Sequence, residues 1–192
     1  MKRIALFAFM LLTLFACKED DDTIIYYTMS KNMRPRYDEG KEFAYYSEQT
    51  GKTVKYSVEK MNRKRGSIAK LNEEHYTGHS YTIALSSEYG DSISIYQTSG
   101  GFSSRFNGEN ASSLEFYAEN GTRGCFSEAG VKHIEIDGNY YYALELRKSW
   151  TDSDDIPTAI YYSYQCGILR LIYNDSVTYE ILNPIVEKNY QQ

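Results

Sequence analysis

Val54-Lys55-Tyr56-Ser57-Val58-Glu59 alternates apolar and polar side chains with a period of two. In an extended chain successive side chains point to opposite faces, so Val54, Tyr56 and Val58 share one face and Lys55, Ser57 and Glu59 the other. The same pattern returns at Tyr81, Ile83 and Leu85, at Leu114 and Phe116, at Tyr140, Tyr142, Leu144 and Leu146, and at Val177, Tyr179 and Ile181. One apolar and one polar face per segment predicts antiparallel strands with one wet side. Twenty tyrosines, eight phenylalanines and only three prolines suit strands as well.

Turn residues separate these runs. Thr50-Gly51 joins strands near 42–48 and 52–60, and Tyr89-Gly90-Asp91 joins 79–87 to 91–98. Asn120-Gly121 predicts a type I′ turn, which needs positive φ at both central positions. Asp137-Gly138-Asn139 and Asn174-Asp175 mark two more, and Ala159–Tyr164 and Gly167–Tyr173 supply further strands. The reading is an all-β chain, an antiparallel meander of about eleven strands with at most one or two short helices. Twist and exposed edges forbid a flat sheet of that width, so it curls into a barrel or half-barrel, or folds over as a β-sandwich. Ser67 to Tyr76, with Ile68 and Leu71 at helical spacing, is the helix candidate.

The N-terminus carries an address. Lys2 and Arg3 precede an uncharged run, Ile4 to Ala16, that is too short to span a bilayer and fits a signal peptide. Leu14-Phe15-Ala16-Cys17 places a cysteine at the cleavage point, and the whole resembles the signal of bacterial lipoproteins. That resemblance implies lipidation of Cys17, palmitate among the acyl chains, and a membrane partner held through the N-terminal lipid. Lys18, Glu19, Asp20, Asp21 and Asp22 resemble the acidic export signal of Bacteroidota surface lipoproteins. The implied location is the outer membrane, lipid-anchored and exposed at the cell surface. Residues 1–16 then form the signal peptide, 17–38 the lipidated cysteine with its acidic tether, and 39–192 a single β-rich domain. No later segment approaches the length and apolarity of a transmembrane helix.

If Cys17 takes lipid, Cys125 and Cys166 remain as a pair in an oxidising compartment, where a bridge would close a loop worth roughly 4 kcal/mol. Two separate buried thiols are the alternative. The net charge of −5 disfavours nucleic acid as a partner. Lys31, Arg34 and Arg36, then Arg63, Lys64 and Arg65, form two small basic clusters, read first as solvated loops and second as contacts with lipopolysaccharide phosphates.

Catalytic and metal motifs are sparse. Ser67-Ile68-Ala69-Lys70 matches S-x-x-K, but the K-T-G partner is missing because Val54 follows Lys52-Thr53. His75 and His79 are four apart without a glutamate following the first, and Asp152, Asp154 and Asp155 lack the glycine and glutamate of an EF-hand. No cofactor and no metal ligand is assigned. Thr23, Ser92 and Ser176 each follow Asp and precede an aliphatic residue, which resembles the O-glycosylation acceptor of Bacteroidota. Tyr141, Tyr161 and Trp150 are candidate ligand-binding aromatics, read as outward rings, although cross-strand pairing explains most strand tyrosines equally well.

The sequence therefore predicts a non-enzymatic surface module that binds a glycan or a protein partner. A periplasm-facing carrier of an apolar ligand is the second reading. It is prompted by Tyr161-Tyr162-Ser163 and Gly167-Ile168-Leu169-Arg170, which resemble a strand–turn–strand element of half-barrel lipoproteins. A carboxylate-based hydrolase is the third.

Overall fold

A computed structural model describes residues 24–26, 37–71, 74–98, 113–149, 153–164, 166–174 and 177–184. Among them are eleven strands and no helix: β1 (Ile24–Tyr26), β2 (Glu42–Ser47), β3 (Lys52–Leu71), β4 (Glu74–Ser87), β5 (Ser92–Thr98), β6 (Ser113–Tyr117), β7 (Arg123–Ile136), β8 (Asn139–Lys148), β9 (Ala159–Ser163), β10 (Gly167–Tyr173) and β11 (Val177–Ile181). Strands β2 to β11 run as an antiparallel meander. The meander closes where β11 meets β2, with Glu180 opposite Tyr46 and Ile181 opposite Tyr45. The result is a ten-stranded barrel rather than a half-barrel or sandwich. Strand β1 adds outside the ring, parallel to β4.

Alternation places Phe43, Tyr45, Tyr56, Val58, Ile83, Leu85, Ile93, Ile95, Leu114, Phe116 and Tyr162 in one buried core. An eight-stranded barrel is just wide enough for side chains to fill, and a wider ring leaves room to spare. Here long aromatic side chains occupy that room. Tyr45 packs edge-on to Tyr56 at 5.7 Å, and Tyr37 to Phe43 at 5.3 Å. Their hydroxyls find partners, as buried polar groups must. Tyr45 donates to the Ile168 carbonyl at 3.0 Å, Tyr162 donates to Gln97 Oε1 at 2.7 Å, and the Ile168 N–H donates to the Tyr37 hydroxyl at 3.1 Å. The tyrosine content that the sequence shows thus has one structural use, filling a wide barrel.

Several expectations are corrected. Ser67 to Tyr76 is not a helix, because the backbone of 67–71 pairs with 74–77 across a bulge between Ser67 and Ala69. Consequently β3 and β4 extend well past the partners that β2 and β5 give them. The Asn120-Gly121 turn is not type I′, since Gly121 has φ of +81° but Asn120 is not among the positive-φ residues. The Asn120 side chain instead accepts the Thr122 N–H at 2.9 Å, inside a longer loop closed by the Ala118 N–H on the Thr122 carbonyl. Among the described residues, the two-residue turn with both φ values positive is Asp137-Gly138, at +51° and +73°.

The cysteine pairing is corrected too: Cys125 and Cys166 are separate thiols. Cys125 is half-buried and sits opposite Glu115, on the outward face of a strand whose neighbour Phe126 points into the core. Cys166 lies in the core beside the barrel's other end. The sheet itself separates them. A thiol reagent should therefore modify Cys125 in the native protein and reach Cys166 only on unfolding, with no gain in titratable thiol on reduction. Recovery of both thiols only after reduction would restore the bridge.

Candidate functional site

In a closed meander alternate turns meet at one rim. The turns after β2, β4, β6, β8 and β10 share this end, and around them lies a cleft of about 590 Å³. Small-ligand sites fall within about 300–1,000 Å³. Leu171, Tyr56 and Tyr173 rise from the core side, Val177 and Tyr179 from β11, and Tyr89, Asp91, Glu119, Asp154 and Asp155 from the turns, with Lys52 beside them.

Sequence explains how the walls hold. Phe116, Tyr173 and Tyr179 form a stack of edge-to-face rings, with centroids 6.4 Å and 5.9 Å apart. Such contacts fix ring planes as well as burying area. The loop after β8 is pinned by Ile156, which is fully buried. Gly124 permits this, since a Cβ there would come within 2.5 Å of the Ile156 side chain. Asp155 accepts from Asn120 Nδ2 at 2.9 Å and from Ser153 Oγ at 3.3 Å, tying the β8–β9 loop to the β6–β7 loop. The Glu119 N–H donates to Asp91 Oδ1 at 3.1 Å, tying that loop in turn to the β4–β5 turn.

The electrostatics follow from this crowding. Desolvation raises the Asp91 carboxyl above the ordinary aspartate value, and the nearby Glu119 and Asp155 charges add to it; the Glu119 N–H and the Ser87 hydroxyl oppose it. Burial likewise raises the Tyr56 and Tyr173 phenols, which share a hydrogen bond. The mouth thus offers aromatic faces, phenol hydroxyls and four carboxylates against one lysine. That set can stack on an apolar ring face and accept hydrogen bonds from hydroxyl or ammonium groups at its edge. Among the described residues no group of three or more His, Cys, Asp or Glu side chains is placed to hold a metal ion.

The residues singled out from sequence fall elsewhere. Tyr141 is 1% exposed and belongs to the core cluster, whereas its neighbours Tyr140 and Tyr142 are the exposed rings of β8. It is a packing residue, which corrects its reading as an outward ligand contact. Tyr161 is half-buried on the outer wall with the Arg170 guanidinium 5.8 Å from its ring centroid, and Arg170 in turn pairs with Glu180. Ser92 opens β5 half-buried, flanked by Ser86 and Tyr117. Trp150, Thr23, Ser176, Cys17 and the acidic run Lys18 to Asp22 lie outside the described residues. Ser67 and Lys70 occupy positions about 10 Å apart along a strand, and His75 and His79 about 13 Å apart, so neither pair has the one-turn spacing its motif requires. His79 instead lies 3.0 Å from Arg63.

Sequence reading missed Tyr56, Tyr89, Asp91, Glu119, Tyr173 and Tyr179 as a group. The available signal was turn parity: once closure is assumed, every second turn of a meander contributes to the same rim. No protein-family model, curated protein or solved structure matches the chain.

Proposed function

We propose that this chain is a lipid-anchored module of the bacterial outer membrane, exposed at the cell surface and non-enzymatic, whose barrel mouth binds a glycan. The observation that carries the reading is the mouth itself, where tyrosine rings and carboxylates converge from separate turns on one cleft. Sugars present an apolar ring face bordered by hydroxyls, and that is the complement of this lining. An apolar cargo would need the lumen, and the lumen is taken up by Tyr37, Tyr45, Tyr56, Phe116 and Tyr162. The cysteine and acidic run at 17–22 support the tether and its surface location. A glycan array probed with the lipid-free mature chain, paired with a pull-down from envelope extract, tests the reading. Enrichment on a defined set of glycans is expected; capture of a protein alone would replace the glycan with a protein partner, and an empty result in both would refute it.

A further inference from the structure

We infer that the projecting β3–β4 hairpin is a membrane-facing arm, whose cations engage the phosphate groups of the bilayer that anchors the chain, and that the mouth is thereby held away from that bilayer. The inference rests on the tethered reading of Cys17.

The geometry begins with register. Beyond Lys60 strand β3 pairs only with β4, and before Ser80 strand β4 has left β5 behind, so residues 60–80 form an arm past the rim opposite the mouth. Strand β1 joins this arm, with Ile24 opposite His75 and Tyr26 opposite Thr77. Because β1 is parallel to β4, and β4 runs from the arm toward the mouth, Ile24 stands toward the arm's far end and Tyr26 nearer the barrel. Six residues separate Cys17 from Ile24, and the seven Cα-to-Cα steps reach about 25 Å when fully extended. From His75 to Ser87 at the mouth is about 40 Å along the strand. Cys17 can lie at the arm, and its backbone falls short of the mouth.

Charge agrees with this orientation. Residues 60–80 carry five cations against two carboxylates, Glu73 and Glu74, in a chain whose net charge is −5. Lys60, Arg63, Lys64 and Arg65 are exposed, and among the described residues none forms an ion pair. Arg63 and Arg65 pair across with Tyr81 and His79 on one face of the arm, and Lys64 stands between them on the other. Glu74 pairs with Leu71 at the arm's far end, and at its base Glu39 accepts the Met61 N–H at 3.0 Å and Glu59 accepts the Ser86 hydroxyl. The mouth at the opposite end is acidic. An anionic bilayer would attract one end and repel the other.

Each basic residue near an anionic surface contributes about a fivefold gain in partitioning, so three removed together should cost on the order of a hundredfold. The test uses the mature chain with Cys17→Ser, so that binding does not depend on lipid, and vesicles of phosphatidylcholine with or without phosphatidylglycerol. The expected result is sedimentation with the anionic vesicles alone, weakening as salt rises, and loss of roughly a hundredfold in R63Q/K64Q/R65Q with unchanged thermal stability. Equal binding to neutral vesicles, no binding to either, or an unaffected triple variant would overturn it. Binding that appears only after E19Q/D20N/D21N/D22N would also overturn it, because the acidic tether would then be the arm's partner. The salt series on the unsubstituted chain gives an answer even if the triple variant misfolds. Failure of the tether reading is separate: it would show as absence of palmitate label at Cys17 in cells.

Discussion

Titration above pH 10 is expected to unfold the barrel in one cooperative step, with tyrosinate absorbance and loss of sheet signal rising together. Tyr37, Tyr45, Tyr56, Tyr162 and Tyr173 are all shifted upward, in each case chiefly because burial penalises the phenolate. The unfolded chain loses these protons near pH 10, while the folded chain keeps them. Between the two values the native state binds more protons, so stability is unaffected below about pH 10 and falls as pH rises above it. Each phenol contributes about 1.4 kcal/mol per pH unit, and five together about 7 kcal/mol per unit. Domains of this size are stable by about 5–15 kcal/mol. Unfolding should therefore come within about one to two units above pH 10. Gradual tyrosine ionisation with the sheet intact would show that these phenols are not buried as described.

Gly167→Ala should be the most damaging small substitution in the barrel. Gly167 has φ of +81°, a region where a Cβ costs about 1–2 kcal/mol. The added methyl would also stand 2.0 Å from the Tyr37 hydroxyl and 2.5 Å from its ring. Displacing Tyr37 releases the Ile168 N–H from its acceptor, and overpacking of this kind adds about 1–3 kcal/mol. The expected loss of about 3–4 kcal/mol would lower the melting temperature by about 10 °C in a chain of this length. Tyr37→Phe removes the hydroxyl that the methyl meets, so G167A/Y37F should cost less than the sum of the two single changes. Strict additivity, or a neutral Gly167→Ala, would place Tyr37 elsewhere.

Much of the fold is legible in residues taken a few at a time. Val54, Tyr56 and Val58 state their face, and so do Tyr81, Ile83 and Leu85, because alternation is a local property of a strand. Closure is harder to see, since it depends on β2 and β11, whose facing residues Tyr46 and Glu180 are far apart in sequence. The arm was hidden because Ile68 and Leu71 suit a helix in isolation, and only pairing with 74–77 decides otherwise. Tyr140-Tyr141-Tyr142 illustrates a further limit. Period two separates Tyr141 from its neighbours but does not say which face is buried on a strand that carries apolar side chains on both. The mouth was legible last, because its acids and rings are brought together only by the parity of turns in a closed ring.

Glycan binding at the mouth is tested most directly by repeating the array on Tyr89→Ala/Tyr179→Ala, with Tyr142→Ala as control. Tyr89 and Tyr179 line the cleft, while Tyr142 is exposed on β8 and is not among the lining residues. Loss of both rings is expected to weaken binding of the enriched glycans at least tenfold, about 1.4 kcal/mol, with the Tyr142→Ala protein indistinguishable from the unsubstituted chain. Undiminished binding by Tyr89→Ala/Tyr179→Ala, or an equal loss in Tyr142→Ala, would contradict the assignment of this cleft as the binding site.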